Sequence, residues 1–189
     1  MVQIFFLDTN VVLDYLENRN HEVRDIVAQL LHYHKQNKIH LVTSVFNIAE
    51  IAESEFQICF WGACINERMS YDEIMSKKND RKLFKQIAEK NKDDIKKKIK
   101  KFVVYNELEA FSLSLNDQEH YEEIYKLIYD FQLRLQDALV VAAALENNAT
   151  YFLSNDSDLV NTIGELINCY DLRDKGQRKS FEDDVLQAI

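Results

Sequence analysis

Apolar residues fill nearly every position from Val2 to Leu7 and stop at Asp8, the pattern of a strand buried on both faces rather than one that alternates. Asn10 to Glu17 predicts a short helix. Glu22 to Lys35 predicts a longer one with Val23, Ile26, Val27, Leu30 and Leu31 along one side. Ile39 to Thr43, rich in β-branched residues, predicts a second strand. Ser44 then reads as the N-cap of a helix in which Val45, Ile48, Ala52 and Phe56 recur. From there to about Asn148 the pattern is helical, with breaks expected near Ser70, Asn79 and Asn116. Thr150 to Leu153 predicts a third strand and Leu166 to Tyr170 a fourth. The stretch from Asp171 onward is polar, with a last helical turn expected around Phe181 to Ala188.

Strands separated by helices imply right-handed parallel crossovers. The expected fold is therefore α/β: a helix-rich, three-layer α/β/α sandwich with a short parallel sheet of four to five strands. Composition sharpens the helical bias, because 189 residues contain no proline and only three glycines while 47% are hydrophobic. Nothing reads as a linker, so residues 1–189 are expected to form one domain. The longest apolar-looking stretch, Val45 to Ile65, carries Glu50, Glu53, Glu55 and Gln57, which would be costly in hydrocarbon. The first apolar run meets Asp8 after six residues with no basic region before it, too short for a signal peptide. A cytoplasmic protein is expected. Cys59, Cys64 and Cys169 are odd in number and lack paired metal spacing, which favours reduced thiols.

The net charge of −9 argues against a polyanionic partner until its distribution is examined. Between Lys77 and Lys101 lie twelve Lys or Arg and four Asp or Glu, a local +8 that leaves −17 elsewhere. Leu83, Phe84, Ile87, Ile95, Ile99 and Phe102 recur at helical steps through this block, so its other faces carry lysine. By itself the block reads as a solvated helix face. A cationic flank beside an acidic pocket is the alternative.

Four acidic positions follow strands or open helices. Asp8 ends the first strand, at the edge where open α/β sheets place ligands. Glu50 stands six residues after the Ser44 cap, under two turns from the second strand. Asp137 begins the smallest and most apolar helix, through Leu145. Asp156 and Asp158 follow the third strand. Each has an ordinary explanation: an exposed helical glutamate, a complement to a helix N-terminus, a turn or cap. All of them at one sheet edge require several coincidences. Adjacent carboxylates repel one another and a phosphodiester, which Mg²⁺ or Mn²⁺ would resolve through oxygen ligation. The histidines His21, His32, His34, His40 and His120 do not accompany the acids in sequence, against a zinc-type site.

Four segments together resemble the PIN-domain ribonucleases, the family that includes the toxin nucleases of toxin-antitoxin pairs. Phe6 through Asp14 resembles the opening motif. Thr43-Ser44 through Glu50 resembles the segment that supplies the family's glutamate, Gln136 through Ala144 the third motif, and Tyr151 through Leu159 the fourth. The resemblance implies a metal-dependent endoribonuclease that hydrolyses phosphodiester bonds of single-stranded or structured RNA with one or two Mg²⁺ or Mn²⁺ ions. Carried over by position, Asp8, Glu50, Asp137 and Asp156 form the catalytic set; the same four and Asp158 are the metal ligands. Thr9, Asn10, Ser44 and Ser154 orient the carboxylates by hydrogen bonds. A small antitoxin protein laid across the groove and a homodimeric state are implied at the same level. No membrane partner is.

Two departures qualify the match. Glu50 and Asp137 are 87 residues apart, which makes residues 57–116 a helical insertion or extension, lysine-rich at 77–101. Leu159 stands where the family usually shows an aromatic residue, which leaves Asp156 and Asp158 both open as the fourth ligand. Beside a nuclease pocket the lysines change meaning: Lys96, Lys97, Lys98, Lys100 and Lys101 become candidates for RNA phosphate contacts. Two other classes remain. One is a PIN-like nucleic-acid-binding scaffold without turnover. The other is an aspartate-based phosphatase or phosphoacceptor domain, disfavoured because Asn10 stands two positions after Asp8 where a second aspartate is wanted, and no post-strand lysine is suitably placed.

Overall fold

A computed structural model describes residues 2–78, 80–113 and 118–189, without the side chains of Arg81 and residues 118–120. The breaks expected at Asn79 and Asn116, the end of the 57–116 stretch and the His120 side chain lie outside the described residues. Five parallel strands, β1 (Gln3–Leu7), β2 (Ile39–Ser44), β3 (Glu109–Phe111), β4 (Tyr151–Ser154) and β5 (Asn168–Asp171), form one sheet in the order β3-β2-β1-β4-β5. The helices are α1 (Thr9–Glu17), α2 (His21–Lys35), α3 (Val45–Asn66), α4 (Tyr71–Lys77), α5 (Arg81–Tyr105), α6 (Gln118–Tyr129), α7 (Leu135–Glu146), α8 (Ser157–Ile163) and α9 (Lys175–Asp184), followed by a 3₁₀ turn at Leu186–Ala188.

The sheet is covered on both faces, which gives the three layers expected. Phe5 and Leu7 of β1 pack with α1, α2, α9 and Phe102 of α5. Phe6 points the other way, into a core with Leu127 of α6, the alanine and valine face of α7, and Leu159 and Ile163 of α8. Successive residues of β1 thus serve opposite cores, and the strand reads as a continuous apolar run for that reason. A third, smaller core of Phe60, Cys64 and Ile74, backed by Trp61, Leu83 and Phe84, holds α3, α4 and α5 together. Among the described residues no helix is long and apolar enough to cross a membrane.

Scarce glycine forces another means of ending helices. Asn18, Asn37, Arg68, Glu107, Gln132 and Asn148 adopt left-handed backbone with φ between 53° and 57°, each just past a helix. At several of these ends the next residue's N–H closes back on the last turn, as in Lys38 to Tyr33, Leu108 to Val103 and Ala149 to Ala144, the Schellman arrangement that usually employs glycine.

Two sequence expectations need correction. The run to Asn148 is not wholly helical, because Glu109–Phe111 pairs with Val42–Ser44 as an edge strand; three residues are too few to carry a strand pattern. The segment after Asp171 is not a polar tail with one late turn. Leu172, Phe181, Val185 and Leu186 are buried, α9 starts at Lys175, and the buried Arg178 is paired with Glu22.

Candidate functional site

Sheet order places the site. From the central β1 the chain crosses to β2 on one side, and β4 adds on the other, so the crevice beyond the C-terminal ends of β1 and β4 is a topological switch point. Asp8 is the N-cap of α1. It is 6% exposed, with Thr9 N–H donating to its Oδ1 at 2.7 Å and the Ser154 hydroxyl to its Oδ2 at 2.7 Å. Ser154 ends β4 and also accepts from Asp156 N–H at 3.1 Å. One serine therefore ties the acid after β1 to the acid after β4.

Ser44 caps α3, as its place after β2 suggested, accepting from Asn47 N–H at 3.1 Å. It does not reach a carboxylate. Its hydroxyl bonds Asn47 Oδ1 instead, and Asn47 Nδ2 donates to Asp8 Oδ1 at 3.2 Å and to Thr9 Oγ1 at 3.1 Å. Thr9 in turn donates to Glu50 Oε2 at 2.5 Å. Asn47 is fully buried and joins β2, α1 and α3 at the site. Sequence reasoning missed it, although it lies three residues before Glu50 on the same helix face. Asn47→Ala would strand several buried polar groups, so a loss of about 1–3 kcal/mol is expected in chemical denaturation. An unchanged denaturation midpoint would show that Asn47 is not the tie described.

A cavity of about 310 Å³ is lined by Asp8, Glu50, Asp137 and Asp156 together with Thr9 and Asn10, and by a fifth carboxylate, Glu53, that sequence reasoning did not place at the site. Asp137 is in the first turn of α7, which begins two residues earlier at Leu135. Asp156 caps α8, accepting from Asp158 N–H and Leu159 N–H. Asp158 does not line this cavity; it borders the two adjoining hollows. Leu159 lines the cavity with its buried side chain part of the core beneath.

Burial pushes the Asp8 carboxyl up to about 6 against the hydrogen bonds from Ser154 and Thr9, and the charges of Glu50 and Asp137 push it the same way. Asp137 is also raised, first by burial, then by Asp156 and Glu50, with Arg134 opposing. The acids thus repel each other across the crevice. The lining offers oxygen donors and no histidine or cysteine. Among the described residues no group of three Asp, Glu, His or Cys side chains lies close enough, as the side chains stand, to hold a metal ion. An open, all-oxygen set suits a hard divalent ion that keeps several of its waters.

The chain's family follows from a comparison over its length. The family model described as "PIN domain" matches residues 5–165. The chain belongs to the PIN-domain family. The match takes in all five acids named above and ends before β5. A solved structure described as "Crystal structure of VapBC2 from Rickettsia felis bound to a DNA fragment from their promoter" is similar at 12% identity with a TM-score of 0.49, covering 88% of this chain and 97% of that chain. No curated protein matches.

The lysine candidates lie elsewhere in the PIN domain. None of Lys96, Lys97, Lys98, Lys100 and Lys101 lines the acidic cavity. Lys96, Lys97, Lys100 and Lys101 are exposed. Lys98 is instead a tie between helices, bound to Glu17 of α1 and to both oxygens of the buried Glu55 of α3 at 3.0 and 2.9 Å. With Lys101 it lines a larger cavity of about 480 Å³ between α1, α2 and α5. Size does not make that cavity the catalytic one, because no carboxylate lines it.

A second missed group is Asp14 with Arg173. Asp14 is fully buried and held by the Arg173 guanidinium at 2.7 and 2.9 Å and by Asn155 Nδ2 at 2.9 Å. Arg173 follows β5, and Asp171 accepts its backbone N–H. The sequence held no local signal for this pair.

Proposed function

We propose that the protein is a metal-dependent endoribonuclease that hydrolyses phosphodiester bonds of single-stranded or structured RNA. The observation that supports this reading most is the convergence of Asp8, Glu50, Asp137 and Asp156 on one crevice at the switch point of a PIN-domain sheet. In this reading the four carboxylates hold Mg²⁺ or Mn²⁺, with Asp158 reaching it through water. When bound, the ion supplies neutralisation of phosphoryl charge and acidifies water.

The protein's own residues supply positioning. Ser154 and Asn47 fix the two oxygens of Asp8, and Thr9 fixes Glu50, so the acids enter the reaction already oriented. Asn10, expected to orient a carboxylate, lines the crevice beside the acids. Asp8 acts as a shared ligand rather than as a covalent nucleophile. Its pKa is raised first by burial and then by the charges of Glu50 and Asp137, charge that a bound cation would offset.

Incubation with mixed-sequence RNA in Mn²⁺, Mg²⁺ or EDTA tests this directly. Cleavage is expected with either ion, none with EDTA, and a loss on the order of a thousandfold for Asp137→Asn. Equal cleavage by Asp137→Asn would remove the catalytic assignment.

Residues 57–116 are read as an extension of the nuclease domain whose exposed lysines contact RNA phosphates. Charge reversal at Lys96, Lys97 and Lys100 should weaken cleavage and flatten its salt dependence. Unchanged salt dependence would return the block to a solvated face. The narrower reading is a homodimeric toxin paired with a small antitoxin laid across the crevice. In that case co-expression with such a partner would block cleavage.

A further inference from the structure

The acidic crevice poses a problem for a polyanion, which must be held beside five carboxylates, Glu53 included. Three adjoining hollows form one trough along the C-terminal sheet edge, and Asp156 lines all three. On the side of α6 and α7 the trough opens into a hollow of about 290 Å³ bordered by Phe131 and Arg134. On the β5 side it opens into one of about 310 Å³ bordered by Asn10, Asn155 and Arg173. Among the described residues that line the trough, these two arginines are the cations, one at each end.

Arg173 is held rigidly while half of its side chain stays open. Two of its five N–H donors, on Nε and Nη2, bind the two oxygens of buried Asp14, yet the side chain is 49% exposed. The guanidinium therefore presents its unused edge to the hollow in a fixed orientation, the geometry that suits a phosphate. Arg134 is exposed just before α7, three residues ahead of Asp137, whose charge it offsets. Phe131, partly buried against the core, borders the same hollow.

We propose that Arg134 and Arg173 grip the phosphodiesters on either side of the one held over the acids, so that a single RNA strand lies along the trough. This rests on the ribonuclease reading and deepens it. Extended RNA fits because each flanking hollow has room for about one nucleotide. The lysine block then acts further along the strand, outside the trough.

The test measures binding separately from cleavage. A short fluorescein-labelled phosphorothioate RNA is titrated in Mg²⁺ over a salt series and followed by anisotropy. Arg134→Ala is expected to raise Kd about tenfold and to make the salt slope shallower by about one. Simple loss of Arg173 would leave Asp14 buried without a counter-ion, so two other variants are used. Asp14→Leu with Arg173→Met removes both charges together. Arg173→Lys keeps Asp14 paired through one ammonium and loses the free edge. Each should raise Kd about as much as Arg134→Ala, while Lys179→Ala on the exposed part of α9 should not. A DNA strand of the same sequence should show equal losses, because the grips bind phosphate. Variants with the parent's melting temperature, Kd and salt slope would overturn the proposal. Cleavage of unmodified RNA in Mn²⁺ is scored apart. If the parent does not cleave but its binding depends on both arginines, the ribonuclease reading fails and the grips stand; cleavage with arginine-independent binding gives the reverse.

Discussion

Asp8→Asn should make the metal-free protein more stable at pH 8 while abolishing its stabilisation by Mg²⁺ or Mn²⁺. Burial and neighbouring acids raise the folded Asp8 pKa from 3.8 to about 6, the opposite of a salt-bridged aspartate. Between those values the folded protein binds the proton that the unfolded chain releases. Stability therefore falls as pH rises from about 4 to 6 and stays low above it, by up to about 3 kcal/mol from this group. Asparagine removes the ionisation, so the variant escapes that loss. With about 2–4 °C per kcal/mol at this chain length, the melting temperature should rise by several degrees at pH 8. The gain should shrink as pH falls through 6 and vanish only below about 3, where the parent carboxyl is neutral in both states. Divalent ions should raise the parent's melting temperature at pH 8 and leave the variant unmoved. A variant less stable than the parent at pH 8 in EDTA would show that the Asp8 charge is not under strain.

Arg173→Ala is expected to be among the most damaging single substitutions, although Arg173 is half exposed and lies beyond the PIN-matched residues. It leaves Asp14 charged and fully buried, with Asn155 as its remaining side-chain partner. Breaking such a pair costs roughly 3–5 kcal/mol, and the solvated half of the guanidinium puts the expectation near the lower figure. That corresponds to about 10 °C in melting temperature. Replacing both members, Asp14→Leu with Arg173→Met, should bring stability back to near the parent value, because no uncompensated charge remains. If both the single and the double variant melt like the parent, the pair does not hold the β5 end of the trough.

What could be read in the sequence was what depends on near neighbours. Asp8, Asp156 and the Ser44 cap are defined by the strand that precedes them and the helix that follows, and Glu50 and Asp137 by their position within a turn or two of a helix start. The core strands were legible because a parallel strand covered on both faces is a plain apolar run. What could not be read depends on contacts distant along the chain. Ser44 acts on Asp8 only through Asn47, and Arg173 meets Asp14 from 159 residues away. Lys98 reads as a free cation in a lysine-rich helix, yet it ties Glu55 and Glu17 on two other helices. Strand β3 escaped notice because three residues at a sheet edge carry no period.

The central claim is that four carboxylates share one divalent ion at the switch point. A crystal of the protein soaked in Mn²⁺, with anomalous scattering measured near the manganese edge, tests it most directly. The account predicts a peak in the crevice of Asp8, Glu50, Asp137 and Asp156, with carboxylate oxygens at about 2.0–2.3 Å and waters completing the shell. A crevice without a peak at saturating Mn²⁺, or a peak held elsewhere on the molecule, would contradict it.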